Sequence, residues 1–143
     1  METALTTSME DYVETILQVL TEKQGVRASD IAERMEVSKP SVTGALQALA
    51  RQKLVNYEPY DVISLTDKGK KVARAVLRRH EVLRRFLKDV LAIPEKEAEK
   101  TACCMEHAIS ARVTEKIAVL TDLITRCPAA KSRCAPAIRA ARG

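Results

Sequence analysis

The chain has 143 residues and a formal net charge of +5, and 46% of its residues are hydrophobic but only 3% are aromatic. This length suits one domain or two compact subdomains, and the positive charge suits a polyanionic partner. No apolar run approaches the ~20 residues that cross a bilayer, and the N-terminus shows no secretory signal. We therefore expect a cytoplasmic protein with no membrane association, whose four cysteines are reduced thiols.

The first predicted element is a helix near residues 8–23, because apolar residues recur at helical spacing between Tyr12 and Leu20. Asp11 and Glu14 are three residues apart in this helix and therefore share one face. Two acidic residues at this spacing most often form a solvated face. They become candidate metal ligands only if other ligands accompany them.

A helix-turn-helix motif is predicted next. Ser29 is the expected N-cap of a short helix, and Ser38 is the expected N-cap of a second one. Pro40 lies in the first turn of that second helix, where a missing N–H does no harm. Apolar residues from Val42 to Leu49 form its buried stripe. Two short helices joined by a tight turn are typical of DNA-binding modules.

The periodicity then changes to that of strands. Residues 54–58 and 62–65 each suit a short strand, and residues 59–61 supply the turn. A hairpin directly after a recognition helix predicts a wing. A long, very basic helix follows to near Leu91, and Pro94 separates it from the rest of the chain.

Two further helices are expected, near residues 95–110 and 112–126, and Pro128 ends the second. Residues 127–143 are rich in Ala, Arg and Pro and suggest a loose basic tail. The apolar stripe predicted for the last helix comprises Val113, Ile117, Leu120 and Ile124. The fold class is therefore mainly α with a small β-hairpin wing, in which a winged helix-turn-helix domain precedes a helical domain.

The segment 103–107 is the most informative for chemistry. If it is helical, Cys103, Glu106 and His107 lie on one face and offer a thiolate, a carboxylate and an imidazole. Such a set suits a divalent transition metal, although Cys103 alone is equally consistent with a small core residue. Three ligands do not close a site. The candidates for the remaining ligands lie upstream: Asp11, Glu14 and His80, the only other histidine.

Taken together, these motifs resemble the diphtheria toxin repressor and manganese transport regulator family of metal-dependent repressors. The likeness covers roughly residues 7–126. The residues that carry it are Met9-Glu10-Asp11-Tyr12-x-Glu14, Ser29-Asp30-Ile31-Ala32-Glu33, Ser38-x-Pro40-Ser41-Val42-Thr43, Leu65-Thr66-x-Lys68-Gly69, Arg79-His80-Glu81 and Cys103-x-x-Glu106-His107. The chain looks like the short form of this family, without the C-terminal SH3-like domain.

The resemblance implies a homodimer built from three segments in each subunit. Residues 1–72 would form the winged helix-turn-helix DNA-binding domain, and residues 73–126 the helical metal-binding and dimerisation domain. Residues 127–143 would remain as the basic tail. The resemblance also implies a set of metal ligands: Asp11, Glu14, His80, Cys103, Glu106 and His107.

The implied ligand set mixes two branches of that family. Asp11 matches manganese-type members, and Cys103 matches iron-type members. A hard oxygen ligand favours Mn²⁺ and a soft thiolate favours Fe²⁺, with Co²⁺, Ni²⁺ or Zn²⁺ as further ions expected to bind in vitro. Arg84 stands where family members tend to carry an acidic ligand of an ancillary site, which argues against a second metal at that position.

Double-stranded operator DNA is the expected macromolecular partner. Hydroxyl groups at the start of the recognition helix should meet phosphates. Gly44 offers no side chain where a base-reading residue would be expected, so some specificity should come from DNA shape. The residues expected to contact DNA are Arg27, Ser38, Lys39, Pro40, Ser41, Thr43, Gln47 and Tyr60.

The sequence thus favours a metal-activated repressor of metal-uptake genes. Two other classes stay open at this point. One is a redox- or ligand-sensing winged-helix regulator, in which Cys103 or a pair formed by Cys127 and Cys134 is oxidised. The other is a metallo-enzyme that activates water at an open coordination position. The enzyme hypothesis leaves the helix-turn-helix motif unexplained.

Overall fold

The structure is a computed structural model that describes residues 5–60 and 62–141. It is mainly helical with a two-stranded antiparallel hairpin, which confirms the predicted fold class. It divides into two compact units between Val76 and Leu77. The helices are α1 (Thr7–Glu22), α2 (Ala28–Met35), α3 (Lys39–Arg51), α4 (Asp67–Arg85), α5 (Glu95–Met105), α6 (Ala111–Arg126) and α7 (Pro128–Ala140), and the strands are β1 (Val55–Asn56) and β2 (Ser64–Leu65).

In the described part of the chain, no helix is both long and apolar enough to cross a bilayer.

The core of the first unit is formed by one apolar stripe from each of its helices. Ile16 of α1, Ile31 of α2 and Leu46 of α3 are fully buried in it. Each such side chain contributes about 1.5–3 kcal/mol relative to an exposed one. Tyr57, which follows β1, also packs against this core.

The N-termini of α2 and α3 are capped in different ways. Ser38 caps α3 as predicted, since its Oγ accepts a hydrogen bond from the Ser41 N–H at 3.3 Å. The prediction of Ser29 as the cap of α2 is wrong. Arg27 holds that position, and Oδ2 of Asp30 accepts a hydrogen bond from the Arg27 N–H at 2.8 Å. A carboxylate that reaches back by three residues lets the helix begin earlier than Ser29.

The wing is shorter than predicted, since only two residues on each side pair, with Val55 opposite Leu65. Asp61 of the predicted turn lies outside the described residues. A close backbone approach fixes the start of α4 beneath the hairpin. A Cβ at Gly69 would lie 1.9 Å from the Leu54 carbonyl oxygen, so only glycine fits there.

The second unit has a smaller core, formed by Leu83, Leu87, Ala98 and Ala102. After Arg85 the chain continues as a π-helical turn over Phe86–Val90. This turn packs against both α5 and α6. It therefore extends the long helix to the predicted end near Leu91 with a changed hydrogen-bond pattern.

The predicted apolar stripe of α6 is only partly correct. Ile117 packs against the core, but Val113 and Leu120 are 44% and 45% exposed. The buried face of α6 holds Thr114 and Thr121 instead, and each hydroxyl donates to the carbonyl oxygen four residues earlier. Periodicity locates an apolar face but cannot say what covers it, so a face left exposed in one chain has the same sequence pattern as a core stripe.

Residues 127–143 also differ from the expected loose tail, because Pro128–Ala140 form α7. Proline suits the first helical turn, and alanine and arginine have high helix propensities. Pro136 lies inside this helix, and none of its residues is buried. The alanines therefore favour a helix here more than the prolines oppose it. Residues 142–143 lie outside the described residues.

Candidate metal centre and nucleic-acid interface

Four of the predicted ligands come together in the second unit. His80 projects from α4, and Cys103 projects from the last turn of α5. Glu106 is the C-cap residue of α5, and His107 lies in the turn that follows. The Sγ atom of Cys103 lies 3.7 Å from Nδ1 of His80. The structure therefore brings together Sγ of Cys103 and Nδ1 of His80, two of the predicted ligand atoms.

Glu106 is the centre of this cluster and is only 1% exposed. Its Oε2 lies 2.7 Å from Nδ1 of His80, and its Oε1 lies 3.3 Å from Nε2 of His107. A buried carboxylate needs such partners, because removal from water without them costs several kcal/mol. Glu106 thus presents both oxygens to the two histidines of the chain.

A fifth residue, Glu99, joins the cluster from the opposite side. Its Oε1 lies 3.1 Å from Nε2 of His80. The predicted ligand set does not include Glu99, although one signal in the sequence points to it. Glu99 precedes Cys103 by four residues and therefore shares its face of α5. A histidine that binds metal through one nitrogen also commonly donates its other N–H to a carboxylate.

Next to Glu99 lies Arg84, which forms ion pairs with neighbouring carboxylates. Arg84 lies one turn after His80 on α4, and its guanidinium binds Glu81 at 2.8 Å and also binds Glu95. These two carboxylates raise the pKa of Arg84, and in turn the hydrogen bond from Arg84 lowers the pKa of Glu81. The pKa of Glu95 is lowered by Lys88 first and then by Arg84. Arg84 therefore remains a fixed positive charge beside the cluster.

The other two predicted ligands belong to the first unit. Asp11 and Glu14 are both on α1, one helical turn apart. Glu14 is 7% exposed, and its Oε1 accepts a hydrogen bond from Nε2 of Gln18 at 3.1 Å. A carboxylate with so little exposure is rare unless it is paired or binds a cation. Their participation in the same site as His80 remains a prediction.

The residues of the second-unit cluster fit a divalent metal ion. They supply an imidazole nitrogen, a thiol sulfur and a carboxylate oxygen, with Nδ1 of His80 within 4 Å of both other atoms. Mixed nitrogen, sulfur and oxygen ligands suit first-row transition metals. Cys103 is exposed and, like the other three cysteines, forms no disulfide in the described part of the chain, so its thiol is chemically available as a ligand.

Five of the eight predicted DNA-contacting residues surround one groove in the first unit, between α3 and the wing. The groove has a volume of about 520 Å³. Tyr60 stands fully exposed at the wing tip, with a φ of +67°, which is uncommon for a residue other than glycine. The predicted residues that line the groove are Arg27, Lys39, Thr43, Gln47 and Tyr60.

The remaining predicted DNA contacts cluster at the N-terminus of α3. Ser38, Pro40 and Ser41 are exposed there, and the Oγ atoms of the two serines lie 2.8 Å apart. The Thr43 hydroxyl donates to the Lys39 carbonyl oxygen at 3.1 Å, so it has only acceptor capacity left for a partner. A helix N-terminus with exposed N–H and hydroxyl groups is a favourable position for a phosphate.

Comparison with known proteins gives matches over both units. A family model described as the iron-dependent repressor N-terminal DNA-binding domain matches residues 4–63. A second family model, described as the iron-dependent repressor metal-binding and dimerisation domain, matches residues 66–135. The two matched regions contain the groove beside α3 and the cluster around His80, respectively.

Individual relatives extend along most of the chain. An uncharacterized HTH-type transcriptional regulator of Methanocaldococcus jannaschii is 34% identical over 116 residues, which cover 80% of this chain and 93% of the relative. The transcriptional regulator MntR of Bacillus subtilis is 37% identical over 117 residues, or 82% of each protein. A solved manganese-dependent transcriptional repressor in complex with manganese is 31% identical, with a TM-score of 0.73 over 79% of this chain. This chain spans about half of that solved protein, 52% of its length.

Proposed function

Because the chain belongs to the iron-dependent repressor family of metal-dependent transcriptional regulators, we propose that it represses transcription when a divalent metal ion binds to it. One observation carries this proposal: His80 and Glu106 meet at 2.7 Å in the second unit of a chain whose first unit is a winged helix-turn-helix. The metal centre would sense the ion, and the DNA-binding module in the same chain would carry the response to the operator.

The proposed coordination sphere joins the two acidic residues of α1 to the cluster of the second unit. The donor set favours Mn²⁺ or Fe²⁺, with Co²⁺, Ni²⁺ or Zn²⁺ as ions that would bind in vitro. The proposed ligands are Asp11, Glu14, His80, Cys103, Glu106 and His107. Two solved relatives, described as a manganese-dependent transcriptional repressor and a manganese regulator, support this choice of ions.

Charge is the proposed basis of the switch. Without an ion, the carboxylates of Asp11, Glu14 and Glu106 repel one another, and α1 is held less firmly. When bound, the ion supplies the compensating positive charge and the coordination bonds. Asp11 and Glu14 then hold α1 in the arrangement that binds DNA. The ion acts by population shift, so its affinity must be higher for that arrangement than for the others.

A homodimer is the proposed form that binds the operator. Four large apolar side chains of α6 are exposed in the single chain, a pattern that marks an interaction surface. They are Val113, Val119, Leu120 and Leu123. A second copy would cover them, and the two-fold pair would present two copies of α3 to successive major grooves, ~34–36 Å or a multiple apart.

The proposed domain limits follow the sequence analysis. Residues 1–72 would read DNA, residues 73–126 would bind metal and dimerise, and residues 127–143 would add a basic helical segment. The groove residues Lys39 and Gln47 would reach phosphates or base edges, and Tyr60 would touch the backbone or the minor groove. Metal-uptake genes are the proposed targets and the cytoplasm the proposed location.

Neither alternative function is favoured. The relatives are metal-dependent regulators, which does not support a sensor of thiol oxidation. Members of such a family are not enzymes, and a winged helix would have no part in metal-assisted hydrolysis. We accordingly propose no catalytic activity for this chain.

The test is a titration of the metal-free protein with Mn²⁺, Fe²⁺, Co²⁺ and Zn²⁺ under anaerobic conditions. The readout is binding to a labelled duplex selected from a random-sequence pool. At least one ion should raise the DNA affinity at least tenfold, and a chelator should reverse the effect. DNA binding that ignores every ion and instead responds to peroxide would refute the proposal.

A further inference from the structure

The His80 ring lies between two carboxylates that contact its two nitrogens separately. On one side, Nδ1 faces Oε2 of Glu106 at 2.7 Å and Sγ of Cys103 at 3.7 Å. On the other side, Nε2 faces Oε1 of Glu99 at 3.1 Å. His80 is only 6% exposed, so solvent cannot substitute freely for these partners. One nitrogen therefore points at the proposed ligands and the other points away from them.

This arrangement is the one that a metal-binding histidine needs. Such a residue donates the N–H of its far nitrogen to an acceptor, which fixes both the tautomer and the orientation of the ring. We infer that Glu99, held by Arg84, is a positioning residue that keeps Nε2 of His80 protonated and turns Nδ1 toward the metal. The inference rests on the proposed function, since it gives Glu99 the role of supporting one ligand, His80, of the same metal centre.

Glu99 needs a support of its own, because its side chain is 53% exposed and could otherwise rotate into solvent. Arg84 provides that support, with its Nε 3.8 Å from Oε2 of Glu99. The guanidinium of Arg84 is itself fixed by Glu81 and Glu95. A series of contacts thus links the two helices: Glu95 of α5 binds Arg84 of α4, Arg84 lies beside Glu99 of α5, and Glu99 contacts His80 of α4.

Glu99 has a competing role as a direct ligand, because one ligand atom each from His80, Glu99 and Cys103 lies within 4.8 Å of the others. Two observations disfavour it. Glu99 contacts Nε2 of His80, whereas Nδ1 is the nitrogen that faces Glu106 and Cys103. The permanent positive charge of Arg84 also lies beside Glu99 and would repel a second cation. Glu99 is therefore better placed as an acceptor from His80 than as a ligand.

The experiment uses the full chain loaded with Zn²⁺, which is diamagnetic, and nitrogen-15 NMR of the histidine rings. The chain has only two histidines, so the His80 signals can be assigned with His107→Gln. Calorimetry gives the Zn²⁺ affinity and stoichiometry of the wild type and of Glu99→Ala and Glu99→Gln. Glu97→Ala is the matched control, because Glu97 is an exposed acidic residue of the same helix.

In the wild type we expect one Zn²⁺ per subunit, bound at Nδ1 of His80, and a slowly exchanging proton on Nε2. Glu99→Ala should lose that proton signal to fast exchange and should weaken Zn²⁺ binding by about 10–100-fold. Glu99→Gln keeps an acceptor oxygen and should retain the signal with a smaller loss of affinity. Arg84→Gln should speed exchange of the same proton. Glu97→Ala should match the wild type in every measurement.

Two results would overturn the inference while leaving the proposed function intact. One is wild-type Zn²⁺ affinity and wild-type proton exchange in Glu99→Ala. The other is a fall in stoichiometry from two ions to one in that variant, which would make Glu99 a ligand. Failure of the wild type to bind any ion would contradict the proposed function itself and the inference with it. Thermal unfolding of the metal-free variants checks that each one folds.

Discussion

Nδ1 of His80 lies 2.7 Å from Oε2 of Glu106, and this contact joins α4 to the C-terminal end of α5. Both side chains are almost completely buried, and 26 residues separate them in sequence. A buried imidazole and a buried carboxylate in contact are a costly arrangement for stability alone, because both lose hydration. The contact is readily understood if both groups coordinate the same metal ion.

Glu106→Gln should remove metal binding and preserve the fold. The amide has nearly the same shape and can still contact His80, but it lacks the negative charge that a metal ligand supplies. Because even a supporting residue costs about 10–100-fold in metal affinity, loss of this ligand should cost at least about 100-fold. Calorimetry with Mn²⁺ measures the change, and circular dichroism checks the fold. A variant that bound Mn²⁺ as the wild type does would exclude Glu106 as a ligand.

Cys103→Glu should change the ion preference. A hard carboxylate in place of a soft thiolate favours Mn²⁺ over Co²⁺ and Zn²⁺. The measured quantity is the ratio of the dissociation constants for Mn²⁺ and Zn²⁺, which should fall. Cys103→Ser is the control, because it removes the thiolate without adding a carboxylate. If the order of the ions were the same in all three proteins, the side chain at position 103 would have no part in selectivity.

Lys39→Ala should weaken DNA binding almost equally for all sequences. Lys39 is exposed at the first position of α3 and lines the groove beside the wing, where a phosphate would lie. Loss of one phosphate contact should lower the slope of log affinity against log salt by about 1. Lys96→Ala removes the same charge from the exposed surface of α5 and should leave the slope unchanged. Equal slopes for the two variants would remove Lys39 from the interface.

Two glycines of the first unit should respond in opposite ways to alanine. At Gly69 the new Cβ would lie 1.9 Å from the Leu54 carbonyl oxygen, so Gly69→Ala should lower the free energy of unfolding. At Gly44 nothing lies within 4 Å, and alanine has the higher helix propensity by about 1 kcal/mol. Gly44→Ala should therefore stabilise the unit by about that amount. Urea unfolding measures both, and a stabilised Gly69→Ala would contradict the packing described for α4.

Asp30→Ala should destabilise the first unit in a pH-dependent way. The Lys23 ammonium at 2.5 Å, followed by the Arg27 N–H, lowers the pKa of Asp30. A carboxylate with a lowered pKa in the folded state stabilises it above the unfolded pKa, and that contribution is lost as the pH falls through the folded pKa. At pH 7 the variant should lose about 1 kcal/mol. The difference from the wild type should shrink below pH 4 in denaturant titrations, and a constant difference would exclude a charge contribution.

The sequence predicts the approximate positions of α1 to α6, chiefly from apolar residues at helical spacing, but not α7, which buries none of its residues. It also predicts the cap at Ser38, where a hydroxyl precedes Pro40. It fails where the decisive contact is not local. The exposure of Leu120 depends on what covers α6, and the contact of Glu99 with His80 depends on how α5 meets α4. Spacing alone could group Glu99 with Cys103 but could not indicate which nitrogen of His80 it meets.

The central claim is that the carboxylates of α1 belong to the same coordination sphere as His80 and Glu106, and the Mn²⁺ affinity of Glu14→Gln tests it most directly. Glu22→Gln serves as the control, since it changes an exposed acidic residue of the same helix. We predict that Glu14→Gln weakens Mn²⁺ binding at least tenfold and abolishes the effect of Mn²⁺ on DNA affinity, whereas Glu22→Gln changes neither. Wild-type Mn²⁺ affinity in Glu14→Gln would contradict the account.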